Sequence, residues 1–273
     1  MRSSIRSLLI VGIAITLVSC SGGTSGPSSL GSLTADRVID LTHAFDQSTI
    51  YWPTETEGFQ LGVRFEGMNP KGFFYAAKSL AAPEHGGTHI DAPYHFWQKG
   101  RTVDEIPVEQ LIGPGVRIDV SARCADDPDT LVTVADFEAH EAEHGPIPDG
   151  AIVLLYTGFG KYWPDRVKYM ATDELGAEAV PKLHFPGLDP EAARWLLDER
   201  SIGAIGLDTP SIDYGQSEMF QSHVTLFSEN VPALENVANL DRVPPRGFDV
   251  VVLPMKIRGG TGGPARIIGI LRD

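Results

Sequence analysis

The stretch His85-Gly86-Gly87-Thr88-His89-Ile90-Asp91-Ala92-Pro93-Tyr94-His95 holds three of the chain's eight histidines in eleven residues, where even spreading would place about a third of one. Clustered imidazole and carboxylate is a sequence mark of a metal or catalytic site. If Thr88 to Asp91 is extended, His89 and Asp91 stand two apart and share a face. Gly86 and Gly87 let the chain bend tightly, so that His85 can return toward the same point. Two imidazoles and a carboxylate suit Zn²⁺, Mn²⁺ or Fe²⁺ and offer too few oxygens for Ca²⁺. Pro93 fixes the backbone and sets His95 beyond the three ligands, where an imidazole titrating near neutrality can carry a proton. A turn with surface histidines is the competing reading. A bare pair four apart would favour it, but the full set does not.

Outward from this stretch the chain alternates between two periodicities. Runs of strand character lie at Val38 to Thr42, Phe59 to Phe65, Phe73 to Ala81, Val116 to Val120, Ala151 to Thr157, Ile202 to Leu207, Phe248 to Leu253 and Ala265 to Leu271. The last four read as buried strands by length and composition. Thr133 followed by Asp136 predicts a capped helix to about Glu143, stopped by Gly145. Asp189-Pro190 predicts a helix to about Glu199, with Ala193, Leu196 and Leu197 inward. The segment from Gly158 to Gly187 reads as a long loop, and loops of that length often carry function. Phe73, Phe74 and Tyr75 read as core.

The first twenty residues read as an export signal, with Arg2 and Arg6 ahead of an apolar run too short to span a bilayer. Leu17-Val18-Ser19-Cys20 resembles a bacterial lipobox, which would make Cys20 the lipidated first residue of an exported, membrane-anchored lipoprotein. Residues 21–37, rich in Gly, Ser and Thr to residue 32, read as a flexible tether, and residues 38–273 as one α/β domain. The net charge of −14 argues against a nucleic-acid partner, whose phosphates need Lys and Arg. Membrane contact is expected only through Cys20. Cys124 has no partner for an intramolecular disulfide and no neighbouring His; it reads as the end of a strand region.

His85 to His95 resembles the H-x-G-T-H-x-D-x-P-x-H signature of the cyclase family of metal-dependent hydrolases, which includes bacterial kynurenine formamidase and isatin hydrolase. The resemblance extends over Ile39 to His43, Tyr51-Trp52-Pro53, Leu154 to Gly158, Ile205 to Asp213, Leu234-Glu235-Asn236 and Pro254 to Pro264. It implies a mixed β core with flanking helices, of the swivelling β/β/α type, assembled as a homodimer or larger homo-oligomer. It implies Zn²⁺ or Mn²⁺, one or two ions per subunit, on His85, His89 and Asp91. His223 and Glu235 have the spacing of the pair that completes the two-metal site of formamidase-like members. Gln221-Ser222-His223 resembles the isatin-hydrolase segment, in which a Gln oxygen enters the ligand set; that makes Gln221 a further candidate. Trp52 matches a position that packs on an aromatic substrate, although a core aromatic fits the residue equally well.

The expected reaction is hydrolysis of an amide-type C–N bond, in a cyclic amide or an aryl formamide, with His95 moving the proton. A lactone suits the same chemistry, and a non-catalytic lipoprotein that captures a metal or small ligand is the alternative of another class. His140 and His144 read as a solvated helix face, and Glu235, from its sequence alone, as part of an apolar helix face. His43 reads as structural. Gly259 to Gly263 lacks the Gly-Lys-Ser/Thr ending of a phosphate loop and reads as a turn passing close to the site.

Overall fold

A computed structural model describes residues 33–272. The predicted export signal, Cys20 and most of the tether lie outside the described residues. The structured part includes the last residues assigned to the tether, where Arg37 donates to the Leu271 carbonyl from Nε at 3.0 Å and Nη2 at 2.7 Å.

Seven strands close into a ring: β4 (His89–Asp91), β5 (Ile112–Asp119), β7 (Ile152–Tyr156), β9 (Ala204–Leu207), β10 (Ala233–Glu235), β11 (Phe248–Pro254) and β12 (Gly262–Leu271). Around the ring the order is β12, β11, β5, β7, β9, β10, β4 and back to β12. The run from β5 through β7 and β9 to β10 is parallel, whereas β11, β12 and β4 make antiparallel contacts. β12 closes the ring by pairing Gly262–Pro264 with β4, while its C-terminal half carries β1 (Val38–Asp40) on the same edge. Two short strands, β6 (Leu131–Val132) and β8 (Gly187–Leu188), pair separately.

The central parallel strands β7 and β9 are apolar on both faces, as strands covered on both sides must be. Ile152, Leu154, Ala204, Val250, Val252 and Ile267 share one core within the ring, while Val116, Ile118, Val153, Leu155, Ile205 and Leu207 belong to a second core shared with the helices. Among the described residues five α-helices flank the ring: α1 (Ser121–Asp126), α2 (Val134–His144), α3 (Arg166–Met170), α4 (Pro190–Glu199) and α5 (Gln221–Ser228). Helix α2 opens on the predicted Thr133–Asp136 capping box and stops at Gly145, where φ is 85°. Helix α4 opens on Asp189 and Pro190 and buries Ala192, Ala193 and Leu196, with Leu197 only partly covered. Among the described residues no helix is long and apolar enough to cross a membrane.

Several expectations are corrected. Cys124 lies buried in α1, not at a strand end, and burial pushes its thiol up to about 12. The segment from Gly158 to Gly187 contains two 3-10 turns, α3 and the start of β8, so it is not a structureless loop. His140 is buried rather than solvated, and burial lowers its pKa to about 4. Phe73, Phe74 and Tyr75 are exposed at 55%, 63% and 51% rather than core. They belong to a hairpin, β2 (Gln60–Met68) and β3 (Phe74–Ala81), that pairs only with itself. Its register places Leu61, Val63, Met68, Phe74 and Leu80 on one face, all largely exposed.

Candidate active site

The site is built where β4 meets β10. In this antiparallel pair Glu235 lies opposite His89 and Ala233 opposite Asp91. His89 and Asp91 therefore point to the same side as Glu235, as the two-residue period of a strand requires. Glu235 thus occupies a strand and not the expected helix face. The turn before β4 depends on its glycines. Gly87 has φ 59°, and a Cβ on Gly86 would lie 2.1 Å from Tyr51 Cδ1. His85 comes back to place Nδ1 2.6 Å from Asp91 Oδ1. From across the ring α5 contributes His223, whose Nε2 lies 3.2 Å from Asp91 Oδ2 and 3.1 Å from Glu235 Oε1.

Two groups of metal-ligating atoms result, each within a 4.8 Å span: His85, His89 and Asp91, and Asp91, His223 and Glu235. Asp91 is common to both. The structure thus brings together all five residues expected as ligands, and it does not bring in Gln221. Gln221 is exposed on a different surface groove with Pro190, Met219 and Val224. Residues two apart on a helix are separated by about 200°, so α5 cannot turn both Gln221 and His223 to the cluster.

His89 tests whether a cation fits. Its Nδ1 donates to the Gly87 carbonyl at 2.9 Å, which also accepts from Asn236 Nδ2 at 2.8 Å. A carbonyl only accepts, so Nδ1 carries a proton and, in the neutral ring, Nε2 bears a lone pair. That buried Nε2 lies 3.0 Å from Asp91 Oδ1 and 3.5 Å from Glu235 Oε2, yet makes no hydrogen bond. In the neutral ring a lone pair faces two carboxylates with no donor between them. Such an arrangement is costly in a buried site unless a cation compensates it, and the donor set of imidazoles and carboxylates suits a divalent transition metal. The residues present therefore fit the implied ion.

The titration of the cluster follows the same electrostatics. Burial opposes charge on His89 and His223, but their carboxylate neighbours outweigh it and raise both, so a proton and a cation are alternatives at each inner nitrogen. Burial would raise Asp91, yet His85, His223 and His89 hold it well below the usual carboxylate range. Glu235 is raised, first by burial and then by the charge on Asp91. Asp213 steadies the far side: its Oδ2 accepts from His223 Nδ1 at 2.6 Å and from the His223 backbone N–H at 3.2 Å. This outer partner fixes the ring as carboxylate–histidine–metal arrangements do.

His95 stacks on His85, with ring centroids 3.8 Å apart and planes at 16°, and neither of its ring nitrogens has a hydrogen-bond partner among the described residues. Burial, aided by His85, His223 and His89 against Asp91, lowers it to about 4. The ring is neutral at pH 7 and open to a proton. A cavity of about 230 Å³ opens over the cluster, walled by Trp52, Phe96 and Phe220. Trp52 and Phe220 meet edge-to-face at 6.3 Å, and Phe96 and Phe220 lie 5.0 Å apart. Trp52 also packs on Phe185, so it is both wall and core. Asp213, Phe96 and Phe220 were not foreseen as site residues. Phe220 caps α5 in the left-handed region at φ 46°, a conformation that no linear pattern of apolar residues announces.

The remaining histidines stay apart from the site. His43 stacks on Trp163 at 4.4 Å, in keeping with a structural role. His184 pairs with Asp129 at 2.8 Å. His140 and His144 lie 4.8 Å apart, but no third metal-binding group joins them among the described residues.

The sequence profile of the cyclase family matches residues 39–214. Among curated proteins, isatin hydrolase of Roseibium aggregatum is 35% identical over 268 residues, covering 90% of this chain and 98% of its own length. Kynurenine formamidase of Salinibacter ruber is 27% identical over 243 residues, covering 86% and 97%. Among solved structures, isatin hydrolase A from Labrenzia aggregata, bound to benzyl benzoate, superposes with a TM-score of 0.77 at 33% identity, covering 87% of this chain and 94% of that one. By sequence, by fold and by the residues gathered over β4 and β10, the chain belongs to the cyclase family.

Proposed function

We propose that the protein is a metal-dependent hydrolase that opens the C–N bond of a small cyclic amide. The observation that carries this reading is the buried, unpartnered Nε2 of His89 set against Asp91 and Glu235, at the floor of an aromatic cavity. His85, His89 and Asp91 would hold one Zn²⁺ or Mn²⁺, and Asp91, His223 and Glu235 could hold a second. When bound, such a cation supplies ionised water near neutral pH, by lowering its pKa toward about 7, and polarises a carbonyl.

His95 does the proton work. Its unpaired ring accepts the proton released as water attacks the carbonyl carbon, then delivers it to the nitrogen as the C–N bond breaks. Trp52, Phe96 and Phe220 orient a flat substrate and exclude water. The cavity, at about 230 Å³, falls below the range of about 300–1,000 Å³ usual for ligand pockets. Among the described residues no lysine or arginine lines it. A compact neutral bicycle such as an isatin suits it better than an aryl formamide with an amino-acid tail.

The test is turnover of an isatin, a formylkynurenine-type amide and an aryl lactone, each with added Zn²⁺ or Mn²⁺. The expected order puts the cyclic amide first. Preference for the lactone would reassign the substrate, and metal-loaded protein inert toward all three would leave a binding lipoprotein. Export and lipidation belong to the same reading, and rest on residues 1–20. Labelling with radioactive palmitate in cells, lost in Cys20→Ser, is the expected result; unlabelled wild type would refute it. The β2–β3 hairpin supports self-assembly. Residues 60–81 carry Arg64, Lys71 and Lys78 against Glu66, a local excess of positive charge on a chain of net charge −14. A second copy offers that arm an acidic body and a cover for its apolar face.

A further inference from the structure

Each ligand histidine needs its outer nitrogen protonated if its inner nitrogen is to carry a lone pair. Gly87 does this for His89 and Asp213 for His223. His85 has two short contacts, Nδ1 to Asp91 Oδ1 at 2.6 Å and Nε2 to Thr261 Oγ1 at 2.7 Å. Taken alone, the carboxylate contact would draw the proton to Nδ1, and the Thr261 hydroxyl could either donate to Nε2 or accept from it.

They do not stand alone. Thr261 Oγ1 lies 2.6 Å from Glu84 Oε2, and the Thr261 backbone N–H donates to the same oxygen at 2.9 Å. A carboxylate only accepts, and a hydroxyl has one proton to give. Thr261 therefore spends its proton on Glu84 and offers His85 only a lone pair. His85 Nε2 must be the donor, so the proton that Nδ1 holds toward Asp91 is the one a cation would displace, leaving Nδ1 as the ligand atom.

The Gly259 to Gly263 stretch makes room for this contact. A Cβ on Gly260 would lie 2.7 Å from Glu84 Oε1, and one on Gly262 would lie 2.7 Å from His85 Cε1 and 2.5 Å from the Ile90 carbonyl oxygen. The flanking glycines let the Thr261 hydroxyl sit between the carboxylate and the imidazole. The backbone is held as well, because the Thr261 carbonyl accepts from Ala92 N–H at 2.8 Å.

We infer that Thr261 and Glu84 are positioning residues that set the proton of His85 on Nε2 and so prepare Nδ1 as a metal ligand. The inference rests on the metal site proposed above. Outer partners of this kind are typically worth about 10–100-fold in metal affinity.

The test is Zn²⁺ affinity of the full chain by competition with a chelator, together with ¹⁵N–¹H correlation spectra of histidine-labelled, zinc-loaded protein. Thr261→Val keeps the shape and removes the acceptor, and it should bind Zn²⁺ about 10–100-fold more weakly. Thr261→Ser keeps the hydroxyl and should restore affinity to within about threefold. In wild type the His85 signal should show Nε2–H, an observation that needs no variant to fold. Thr261→Val binding as tightly as wild type, or a wild-type His85 protonated on Nδ1, would overturn the inference while leaving the metal site intact. Wild type that takes up no Zn²⁺ or Mn²⁺ would instead overturn the site itself.

Discussion

Asp213→Asn perturbs the site without replacing any of the proposed ligands. The Asp213 side chain is buried and accepts from four groups: His223 Nδ1–H, His223 N–H, Ser222 N–H and Ser217 O–H. An amide has one oxygen where the carboxylate had two. In its best orientation the oxygen keeps His223, and the NH₂ faces Ser217, whose hydroxyl can turn, and Ser222 N–H, which cannot. One buried backbone donor is then orphaned, at about 1–3 kcal/mol, and the bond to His223 loses its charge assistance, worth about 1 kcal/mol more. The sum is about 3 kcal/mol. For a domain of this size that corresponds to a fall in the melting temperature of the metal-free protein of about 6–12 °C. His223 would also be less firmly held as a donor of Nδ1–H, so metal affinity should drop about 10–100-fold. Differential scanning calorimetry of the apoprotein and chelator competition measure the two effects. If both stayed at wild-type values, the assignment of Asp213 as the partner that orients His223 would be wrong.

Four further outcomes are expected. His95→Ala should keep its metal and lose about 10²–10⁴-fold in kcat/KM, whereas His89→Ala should lose both, as metal analysis beside steady-state kinetics will show. Trp52→Ala should raise KM for an aromatic cyclic amide by about 2–12-fold, the worth of a ring contact of about 0.5–1.5 kcal/mol, and leave an aliphatic lactam nearly unaffected; equal effects on both would make Trp52 core alone. His43 and His140 are held by burial at about 4 against an ordinary 6.5. The unfolded chain therefore takes up these protons first, and urea unfolding of the apoprotein should show stability present above pH 6.5 and lost as pH falls toward about 4. A flat profile across that window would contradict their buried, neutral state. Finally, Val63→Asp with Phe74→Asp places charge on the apolar face of the arm and should convert an oligomer to monomer in light scattering, with an unchanged circular dichroism spectrum; wild type that is already monomeric would refute the self-assembly reading.

The first three proposed ligands and His95 were legible because they are local. One short strand and one glycine turn place them, and strand periodicity can be read off adjacent residues. His223 and Glu235 were not legible in that way. They come from α5 and β10, and they reach Asp91 only because β10 pairs with β4 in a particular register. The family resemblance supplied them where spacing could not. Gln221 was misread for a related reason: the helical path of α5 was not foreseen, and it separates neighbours that an extended segment would align. Phe73 to Tyr75 looked like core because alternating apolar residues report only that a face must be covered. They do not report whether the cover is the chain's own core. The ring of parallel strands was legible in part, since strands apolar on both faces announce burial, but closure by β12 depends on contacts between distant segments.

The closure of the ring has a consequence for how the protein comes to life. β4 lies in the first half of the chain, β10 and α5 in the second, and β12, last in order, seals the gap beside β4. A ribosome-bound fragment missing its final strand would possess the His85–His95 stretch but not the closed ring that surrounds it. Catalytic competence therefore cannot ripen by degrees during synthesis. It waits on the docking of the C-terminal segment as well as on the metal, so turnover cannot precede closure of the ring.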